Sequence, residues 1–377
     1  MKSIIVLGAG LVGGVMAKDL SSFCEVTCAD INEENLRKVA LNSKVKTVKG
    51  DLTHHDTIRK LVDDFDLVVG ALPGFMGFHA LHSVISAGKN IVDISFFPED
   101  PFLLDDLAKK NRVTAVTDCG VAPGMSNMIL GYHHKKMKVE SFECLVGGLP
   151  VKRTWPYEYK VVFSAVDVIE EYKRPARMIE NGKMVVKTAL SEPEFVDFDN
   201  VGTLEAFNTD GLRSVMRTMN DIPNMKERTL RYPGHIEYMH VLRETGFFDT
   251  TPVRIGNSDI RPIDFTAKLL FPLWKLKEGE EDFTVMRITV KGTEKKNEVT
   301  YVYNLLDYYD RKNKVTSMAR TTGYTCTSVA QMMLEGKFNR KGICPPEYLG
   351  ENEKCFNLVL EYLKKRKVVY DVSRKEG

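Results

Sequence analysis

The residue pattern with the clearest chemical meaning lies close to the start of the chain. Segment 8–13 has glycine at its first, third and sixth positions, directly after an apolar strand pattern, Ile4–Leu7, and at the start of a helical pattern, Val12–Leu20. Such glycines permit a tight turn, close approach of the backbone to a phosphate and close packing of helix on strand. The helix N-terminus then offers free N–H groups to a pyrophosphate. The predicted dinucleotide contacts here are Gly8, Ala9, Gly10, Leu11, Val12 and Gly13.

Asp30, at the end of the second predicted strand, is the residue that distinguishes between dinucleotides. A carboxylate at this strand tip accepts hydrogen bonds from both ribose hydroxyls and repels a 2′-phosphate. The next residues, Ile31 and Asn32, supply no arginine that would hold such a phosphate. The sequence therefore predicts NAD as the cofactor, with Asp30 and Ile31 as contacts. Capping of the following helix is the alternative role for Asp30.

Further polar residues follow the other predicted strands. Because ligands bind at the carboxyl ends of parallel strands, we expect Asp51 at the adenine edge, and Ala71 and Leu72 under the ribose and nicotinamide. Asp93 and Asp118 end strands near the expected position of the nicotinamide. Two carboxylates there predict an active site, so both residues are catalytic candidates. The remaining predicted cofactor contacts are Leu52, Pro73, Ile94 and Cys119.

A parallel sheet is needed to bring these strand ends together. The first third of the sequence alternates short Val/Ile-rich runs with amphipathic stretches, which predicts a doubly wound α/β fold of the Rossmann type with helices on both faces. The predicted strands are Ile4–Leu7, Glu25–Ala29, Val45–Val48, Leu67–Val69, Ile91–Ile94 and Thr114–Thr117.

The pattern changes near Gly120 to longer alternating strands separated by proline-containing loops. This favours a second α+β domain with a mostly antiparallel sheet, with strands at Phe142–Val146, Lys160–Ser164 and Thr284–Val290. Helical patterns return near the C-terminus and are expected to close the first domain. We therefore predict a cofactor domain of residues 1–122 plus 315–377, and a second domain of residues 123–314.

Composition limits the class of protein. The 377 residues carry a net charge of +2, and acidic and basic residues are interspersed, which argues against nucleic-acid and membrane partners. No apolar run approaches the roughly 20 residues that span a bilayer, and seven cysteines without a CxxC pair indicate a reducing, cytoplasmic setting. The histidine pairs at 54–55 and 133–134 are adjacent and point apart on regular structure, so we predict no metal site.

Several motifs together resemble a known family. They are the glycine segment 8–13, Asp118–Gly124 with its following helix, Leu204–Arg213, and Tyr232–His235 before Val241–Arg243. Over nearly its whole length the protein is similar to the saccharopine dehydrogenase (reductase-type) family, and within it to the L-lysine 6-dehydrogenases. The resemblance implies NAD(P)-dependent chemistry at a C–N bond in the side chain of an amino acid, a second domain that binds this small substrate, and a homodimer.

The resemblance implies oxidation of the ε-amine of L-lysine to 2-aminoadipate 6-semialdehyde and ammonia. One alternative is a reductase that joins an aldehyde to an amine, as saccharopine-forming or carboxynorspermidine-type enzymes do. The other is a non-catalytic NAD-sensing protein, which would keep the glycine segment and Asp30 without pocket chemistry.

Oxidation of an amine sets requirements for the pocket. The amine, with a pKa near 10.4, must lose its proton, and the α-carboxylate needs a cationic clamp. We expect Arg213 as the clamp, with Arg153 and Arg243 as competitors, and His235 as the base, with a structural role for this histidine as the alternative. Further candidates for the substrate pocket are Asn208, Asp210 and Tyr157.

Overall fold

The computed structural model describes residues 2–377, which form two compact units. Unit 1 contains the residues up to Lys136 together with Ala319–Val369, and unit 2 contains Met137–Met318 together with Tyr370–Gly377. Each unit has its own sheet and its own buried apolar cluster.

Unit 1 is a doubly wound α/β domain. Within residues 2–377 its seven strands are β1 (Ser3–Leu7), β2 (Glu25–Asp30), β3 (Lys46–Lys49), β4 (Leu67–Gly70), β5 (Ile91–Asp93), β6 (Thr114–Val116) and β17 (Gly342–Cys344). All neighbours are parallel, in the order β17-β6-β5-β4-β1-β2-β3. The strand order reverses at β1, which is where such sheets bind their ligands. The predicted Rossmann-type fold is confirmed.

Helices cover both faces of this sheet, and asparagine caps set where two of them begin. The side chain of Asn32 accepts hydrogen bonds from the second and third residues of one helix, and that of Asn352 does the same for another. The helices are α1 (Leu11–Leu20), α2 (Glu33–Ala40), α3 (His55–Val62), α4 (Gly74–Ser86), α5 (Asp105–Lys110), α6 (Met125–His134), α11 (Ser317–Leu334), α12 (Pro346–Gly350) and α13 (Glu353–Lys365).

The C-terminal helices pack on α1, the helix that follows the glycine turn. Asp19 of α1 accepts hydrogen bonds from Thr327 Oγ1 at 2.6 Å, Tyr362 OH at 2.7 Å and Arg366 Nε at 2.7 Å. At Gly323 an added Cβ would lie only 3.1 Å from a side-chain atom of α1, so glycine allows close packing of α11. The return of this segment completes unit 1 and holds α1 in place.

Unit 2 contains a nine-stranded mixed sheet within the described residues. Its strands are β7 (Lys138–Pro150), β8 (Ala176–Glu180), β9 (Lys183–Lys187), β10 (Glu194–Phe198), β11 (Gly202–Asn208), β12 (Asn224–Arg231), β15 (Asp282–Glu294), β16 (Asn297–Tyr308) and β18 (Tyr370–Glu376). The main path runs β10-β11-β12-β7-β15-β16-β18, and only β7 and β12 pair in parallel. The mostly antiparallel second sheet was predicted correctly.

Helices of unit 2 pack on the face of this sheet that carries Phe207 of β11. The buried cluster around Phe207 includes Tyr172, Ile236 and Trp274. The β-sheet register pairs Phe207 with Thr229, which places Thr229 and Arg231 of β12 on the same face. The remaining elements of unit 2 are α7 (Ala165–Lys173), α8 (Val215–Thr218), α9 (His235–Glu244), α10 (Pro262–Trp274) and a two-stranded hairpin of β13 (Val253–Ile255) and β14 (Ser258–Ile260).

The structure differs from the sequence predictions at three places. Helix α6 belongs to unit 1, because Gly131 packs against the backbone of Glu347 in α12. The last residues, 370–377, belong to unit 2, because β18 pairs with β16. The predicted strand Lys160–Ser164 is wrong: Val161 forms only an isolated bridge with Lys275, and the segment packs into the aromatic core beside Trp274.

Candidate active site

The glycine turn is tightly packed on one side and open on the other. Gly8 has φ +108°, and a Cβ there would lie 2.5 Å from the carbonyl oxygen of Ala71. A Cβ at Gly13 would lie 2.1 Å from the carbonyl oxygen of Gly8. At Gly10, by contrast, an added Cβ meets no atom within 4 Å. The turn therefore leaves free space at Gly10, at the N-terminus of α1, which is the space a pyrophosphate needs.

Asp30 is held against this turn. Its Oδ2 accepts a hydrogen bond from Ala9 N at 2.7 Å, and its Oδ1 accepts one from Asn32 N at 2.8 Å. Asn32, and not Asp30, caps α2. The alternative role of Asp30 as a helix cap is therefore wrong. The carboxylate instead ties the end of β2 to the glycine turn, beside the space where a ribose would lie.

Apolar side chains around this turn lie open to solvent. Leu11 is 54% exposed, Ile31 60% and Phe75 70%. Leu11 and Ile31 adjoin Gly10 and Asp30 in sequence, and Phe75 lies at the start of α4, after the end of β4. Exposed apolar surface of this kind is typical of a ligand site and fits a planar base. Phe75 was not predicted, because its helical position resembles an ordinary core residue.

The predicted contacts at the ends of β3 and β4 divide into two kinds. Asp51 accepts hydrogen bonds from the backbone N–H of Thr53 at 2.9 Å and from its Oγ1 at 2.6 Å, which lowers the pKa of Asp51. Its carboxylate thus orders the turn into α3. Leu52, which also follows β3, is buried. The three predicted contacts after β4 lie beside the glycine turn: Ala71 N donates to Leu7 O at 2.9 Å, the side chain of Leu72 approaches Gly8, and Pro73 directly precedes α4.

Asp93, at the end of β5, is buried and oriented. Its two carboxylate oxygens accept hydrogen bonds from Ser95 N and Ser95 Oγ, both at 3.0 Å. Its own carbonyl accepts from Cys119 N at 2.9 Å, and Ile94 N donates to Gly70 O at 3.1 Å. The structure therefore brings Asp93, Ile94 and Cys119 together as predicted. Ser95 was missed in the sequence, although its position two residues after a strand-ending aspartate is a recurrent turn pattern.

Asp118 and Cys119 follow β6 and are both buried. Asp118 has φ +54°, a left-handed conformation that aspartate tolerates better than most residues. This conformation turns the backbone into the segment that leads to Gly124, where φ is +136° and an added Cβ would lie 2.0 Å from the oxygen of Gly120. Both residues thus lie in a constrained turn at the carboxyl edge of the sheet.

In unit 2, two predicted substrate residues hold their neighbours in place. Asn208 donates its amide hydrogens to Ser191 Oγ at 3.1 Å and to Glu192 Oε2 at 2.9 Å. Asp210 accepts a bidentate pair of hydrogen bonds from Arg177, at 2.9 and 2.8 Å. Asp210 is therefore already neutralised by a cation that sequence analysis did not select.

Arg213, the predicted clamp, lies within electrostatic range of a second arginine. Arg213 is 8% exposed and lies in the turn before α8 with φ +56°. Burial, and then the charge of Arg213, lower the pKa of the half-buried Arg174. The carboxylates of Asp210, Glu170 and Asp167 act on the pKa of Arg174 in the opposite direction, so this arginine lies among charges of both signs. Arg174 was missed: it directly follows α7 and precedes Pro175, a position usually explained by helix termination alone.

His235, the predicted base, is enclosed by a hydrogen-bonded network. Its Nδ1 donates to the carbonyl oxygen of Tyr157 at 2.8 Å, and its Nε2 accepts from Tyr172 OH at 2.9 Å. Tyr172 OH in turn accepts from Arg231 Nε at 3.2 Å, and Arg231 pairs with Glu171 at 2.7 Å. With 2% exposure and both ring nitrogens engaged, the geometry favours a structural histidine over a general base.

The histidine makes the stability of the protein sensitive to acid. Burial, together with the nearby Arg231 charge, lowers the pKa of His235 to about 3. Because the unfolded histidine binds a proton near pH 6.5, this contribution to stability is complete above pH 6.5 and is lost as the pH falls towards 3, by about 1.4 kcal/mol per pH unit. Urea titrations between pH 7.5 and 4.5 measure the free energy of unfolding at each pH. In His235→Gln the dependence of this free energy on pH should be weaker by up to one proton. An unchanged slope would contradict this assignment.

The remaining substrate-pocket candidates, Tyr157, Arg153 and Arg243, have different surroundings. Tyr157 is half-buried, with its ring edge-on to Trp274 at 5.7 Å, and burial raises the pKa of its phenol. Arg153 pairs with Glu158, and Arg243 pairs with Glu244 at 2.7 Å. Both competing arginines therefore lie in local ion pairs.

The fold and the glycine turn define a nicotinamide-dinucleotide-binding oxidoreductase. Residues 4–116 match the family model described as the saccharopine dehydrogenase NADP binding domain, and residues 120–369 match the saccharopine dehydrogenase C-terminal domain. The chain belongs to the saccharopine dehydrogenase family. This establishes an oxidoreductase that acts on an amino-acid-related C–N bond.

Individual relatives have low sequence identity to the chain but align with most of its length. The chain is 24% identical to saccharopine dehydrogenase (NADP(+), L-glutamate-forming) of Schizosaccharomyces pombe, over 92% of this chain and 94% of the relative. It is 22% identical to the mitochondrial alpha-aminoadipic semialdehyde synthase of Rattus norvegicus, over 98% of this chain and 47% of the relative, so it spans about half of that protein.

One solved structure confirms the fold. The apo saccharopine dehydrogenase (L-Glu forming) from Saccharomyces cerevisiae superposes with a TM-score of 0.79, at 19% identity and over all of both chains. In residues 2–377, no set of His, Cys, Asp and Glu side chains is arranged to hold a metal ion. Among the same residues, no helix combines the length and apolarity needed to cross a bilayer.

Proposed function

We propose that this protein uses NAD to oxidise the ε-carbon–nitrogen bond of L-lysine, which yields 2-aminoadipate 6-semialdehyde, ammonia and NADH with the uptake of one water. The observation that carries the proposal is the buried Arg213 of unit 2, whose charge acts on the half-buried Arg174. A guanidinium fork binds a carboxylate through two parallel hydrogen bonds, so this pair fits the anionic end of an amino acid.

The residues of the protein supply binding and proton transfer. NAD bound at Gly8–Gly13 would accept the hydride. Arg213 binds the α-carboxylate, and Arg174 reinforces its charge. Within unit 1, Asp93 is our choice for a proton acceptor, because Ser95 orients its carboxylate at the strand end. Asp118 is the alternative proton acceptor.

The preference for NAD is a separate proposal that depends on Asp30. Asp30→Asn keeps an oxygen for Ala9 N but removes the charge, so we expect NAD binding to weaken about tenfold, since hydrogen bonds to charged groups contribute about 1.5–3 kcal/mol, and NADP binding to weaken less or improve. Fluorescence titration of both dinucleotides measures the ratio of the two Kd values. The exposed Glu33→Gln, which neutralises a neighbouring carboxylate, serves as the control. An unchanged ratio in Asp30→Asn would refute the role of Asp30.

A saccharopine-type reaction is the second candidate. Two arginines within electrostatic range of one another also suit a secondary amine with more than one carboxylate, and the S. pombe relative is named for saccharopine and NADP. The alignment with that relative extends over 431 positions, more than the 377 residues of this protein, so the relative carries internal residues without a counterpart here.

Absorbance assays of NADH and NADPH formation decide between these functions. Purified protein is given NAD or NADP with L-lysine, saccharopine or a carboxylated polyamine at mildly alkaline pH, and Arg213→Met serves as the inactive control. Turnover of lysine alone supports the proposal. Turnover of saccharopine or the polyamine instead moves the function to the second candidate. Dinucleotide binding without any turnover would favour an NAD-sensing protein.

A further inference from the structure

The large sheet of unit 2 has a groove on the face opposite to its helices. Because Thr229 lies on the same face as Phe207 and side chains alternate along β12, Lys226 projects from the opposite face. The groove there has a volume of about 440 Å³, and pockets for small ligands measure about 300–1,000 Å³. The residues that line it include Ser141, Glu143, Met178, Lys226, Thr289 and Lys291.

The register of the strands gathers the polar side chains of this groove into two rows. Ser141 of β7 lies opposite Lys291 of β15, and Glu143 of β7 lies between Lys226 of β12 and Thr289 of β15. Opposed residues of antiparallel strands have Cβ atoms about 4.5–5.5 Å apart, and alternate residues of one strand are about 6–7 Å apart. One small molecule can therefore contact several of these side chains at once.

One end of the groove offers three hydrogen-bond donors that are not in use. Within residues 2–377, the hydroxyls of Ser141 and Thr289 and the ammonium of Lys291 take part in no hydrogen bond or ion pair. Ser141 and Thr289 are half-buried, and Lys291 is exposed. A positive charge without a counter-ion beside two hydroxyl donors is a combination that binds a carboxylate.

Glu143 supplies an acceptor beside these donors. Its Oε1 pairs with Lys226 Nζ at 2.8 Å, whereas its Oε2 accepts no hydrogen bond from any residue between 2 and 377. The free oxygen can accept a hydrogen bond from an ammonium group, and its charge disfavours a ligand that is only an anion. An α-amino acid carries a carboxylate and an ammonium on one carbon, which matches this arrangement of donors and acceptor.

We propose that this groove is a second ligand site of the protein, which binds a free α-amino acid by its carboxylate and ammonium groups. The carboxylate contacts Lys291, Ser141 and Thr289, and the ammonium contacts Glu143. The pairing of Met225 with Ile179 places Met178 next to Lys226, so an apolar side chain of the ligand lies beside Met178. The site is independent of the proposed function, because none of these residues takes part in the proposed reaction.

Equilibrium dialysis of the full-length protein with radiolabelled L-leucine tests the groove. Leucine has an apolar side chain and no side-chain amine to oxidise. We expect one leucine per chain and a Kd at least about tenfold weaker in Lys291→Gln, which loses a charged hydrogen-bond donor. Lys268→Gln, at an exposed lysine of α10 without an ion pair in the described residues, should bind like the parent. Absence of leucine binding to the parent, or parent-like binding by Lys291→Gln, would overturn the proposal.

Two analogues test the recognition of both charged groups. 4-Methylpentanoate lacks the ammonium of leucine and 3-methylbutylamine lacks the carboxylate, so each should compete with leucine at least about tenfold less well. If 4-methylpentanoate or inorganic phosphate competes as well as leucine, the groove is a site for anions alone and the amino-acid assignment is wrong.

Arg213→Met separates the groove from the proposed substrate site. Leucine binding should be unchanged in this variant, whatever its activity towards lysine. Loss of leucine binding in Arg213→Met would place leucine at the substrate site and refute the second site. The proposed function is tested separately by NADH formation, so either proposal can fail while the other stands.

Discussion

Gly10→Ala should fold like the parent protein and bind NAD at least about a hundredfold more weakly. Gly10 has φ −69°, which alanine adopts freely, and the added methyl group meets no protein atom within 4 Å. We therefore expect the free energy of unfolding to change by at most about 1 kcal/mol. The methyl group would occupy the space proposed for the pyrophosphate, so the substitution should weaken NAD binding without lowering the free energy of unfolding.

Gly13→Ala provides the contrast. Its Cβ would lie 2.1 Å from the carbonyl oxygen of Gly8, so backbone must move, and we expect a loss of about 1–3 kcal/mol in the free energy of unfolding. Urea titration and calorimetric titration with NAD measure the two effects on the same samples. Normal NAD binding by Gly10→Ala would show that the pyrophosphate lies elsewhere.

Arg213→Met should lower kcat/KM for the amino-acid substrate at least about a hundredfold. A charged, bidentate contact to a carboxylate contributes about 3 kcal/mol, and each 1.4 kcal/mol is a factor of ten. NAD affinity should stay unchanged, because Arg213 is proposed to contact the amino-acid substrate and not the dinucleotide. Steady-state kinetics with varied substrate, alongside NAD titration, measures both quantities.

Two further variants separate a clamp from a structural role. Arg217, four residues later and exposed, is the matched control, and Arg217→Met should keep the parent kcat/KM. Arg213→Lys retains the charge but loses the fork, so partial recovery relative to Arg213→Met is expected. Parent-like kinetics in Arg213→Met would remove the arginine pair as the basis of the proposed function.

Local sequence determined much of unit 1. The strands that follow one another in sequence, the glycine turn and the strand-end residues Asp30, Asp51 and Asp93 were all located correctly, because their positions depend on short-range periodicity and on the rule that parallel strands end at one edge. The roles of individual side chains at that edge were harder to predict from the sequence. Asp51 and Asp30 use their carboxylates in hydrogen bonds with nearby backbone groups.

Tertiary structure alone decided the chemistry of unit 2. The pKa that made His235 attractive as a base applies to a solvated imidazole, and burial beside Tyr172, far away in the sequence, lowers that pKa and favours a structural role. Arg174 becomes relevant only because folding brings it within electrostatic range of Arg213. Periodicity specifies which elements form, but burial, charge neutralisation and the partner of each polar side chain depend on contacts between residues distant in the sequence.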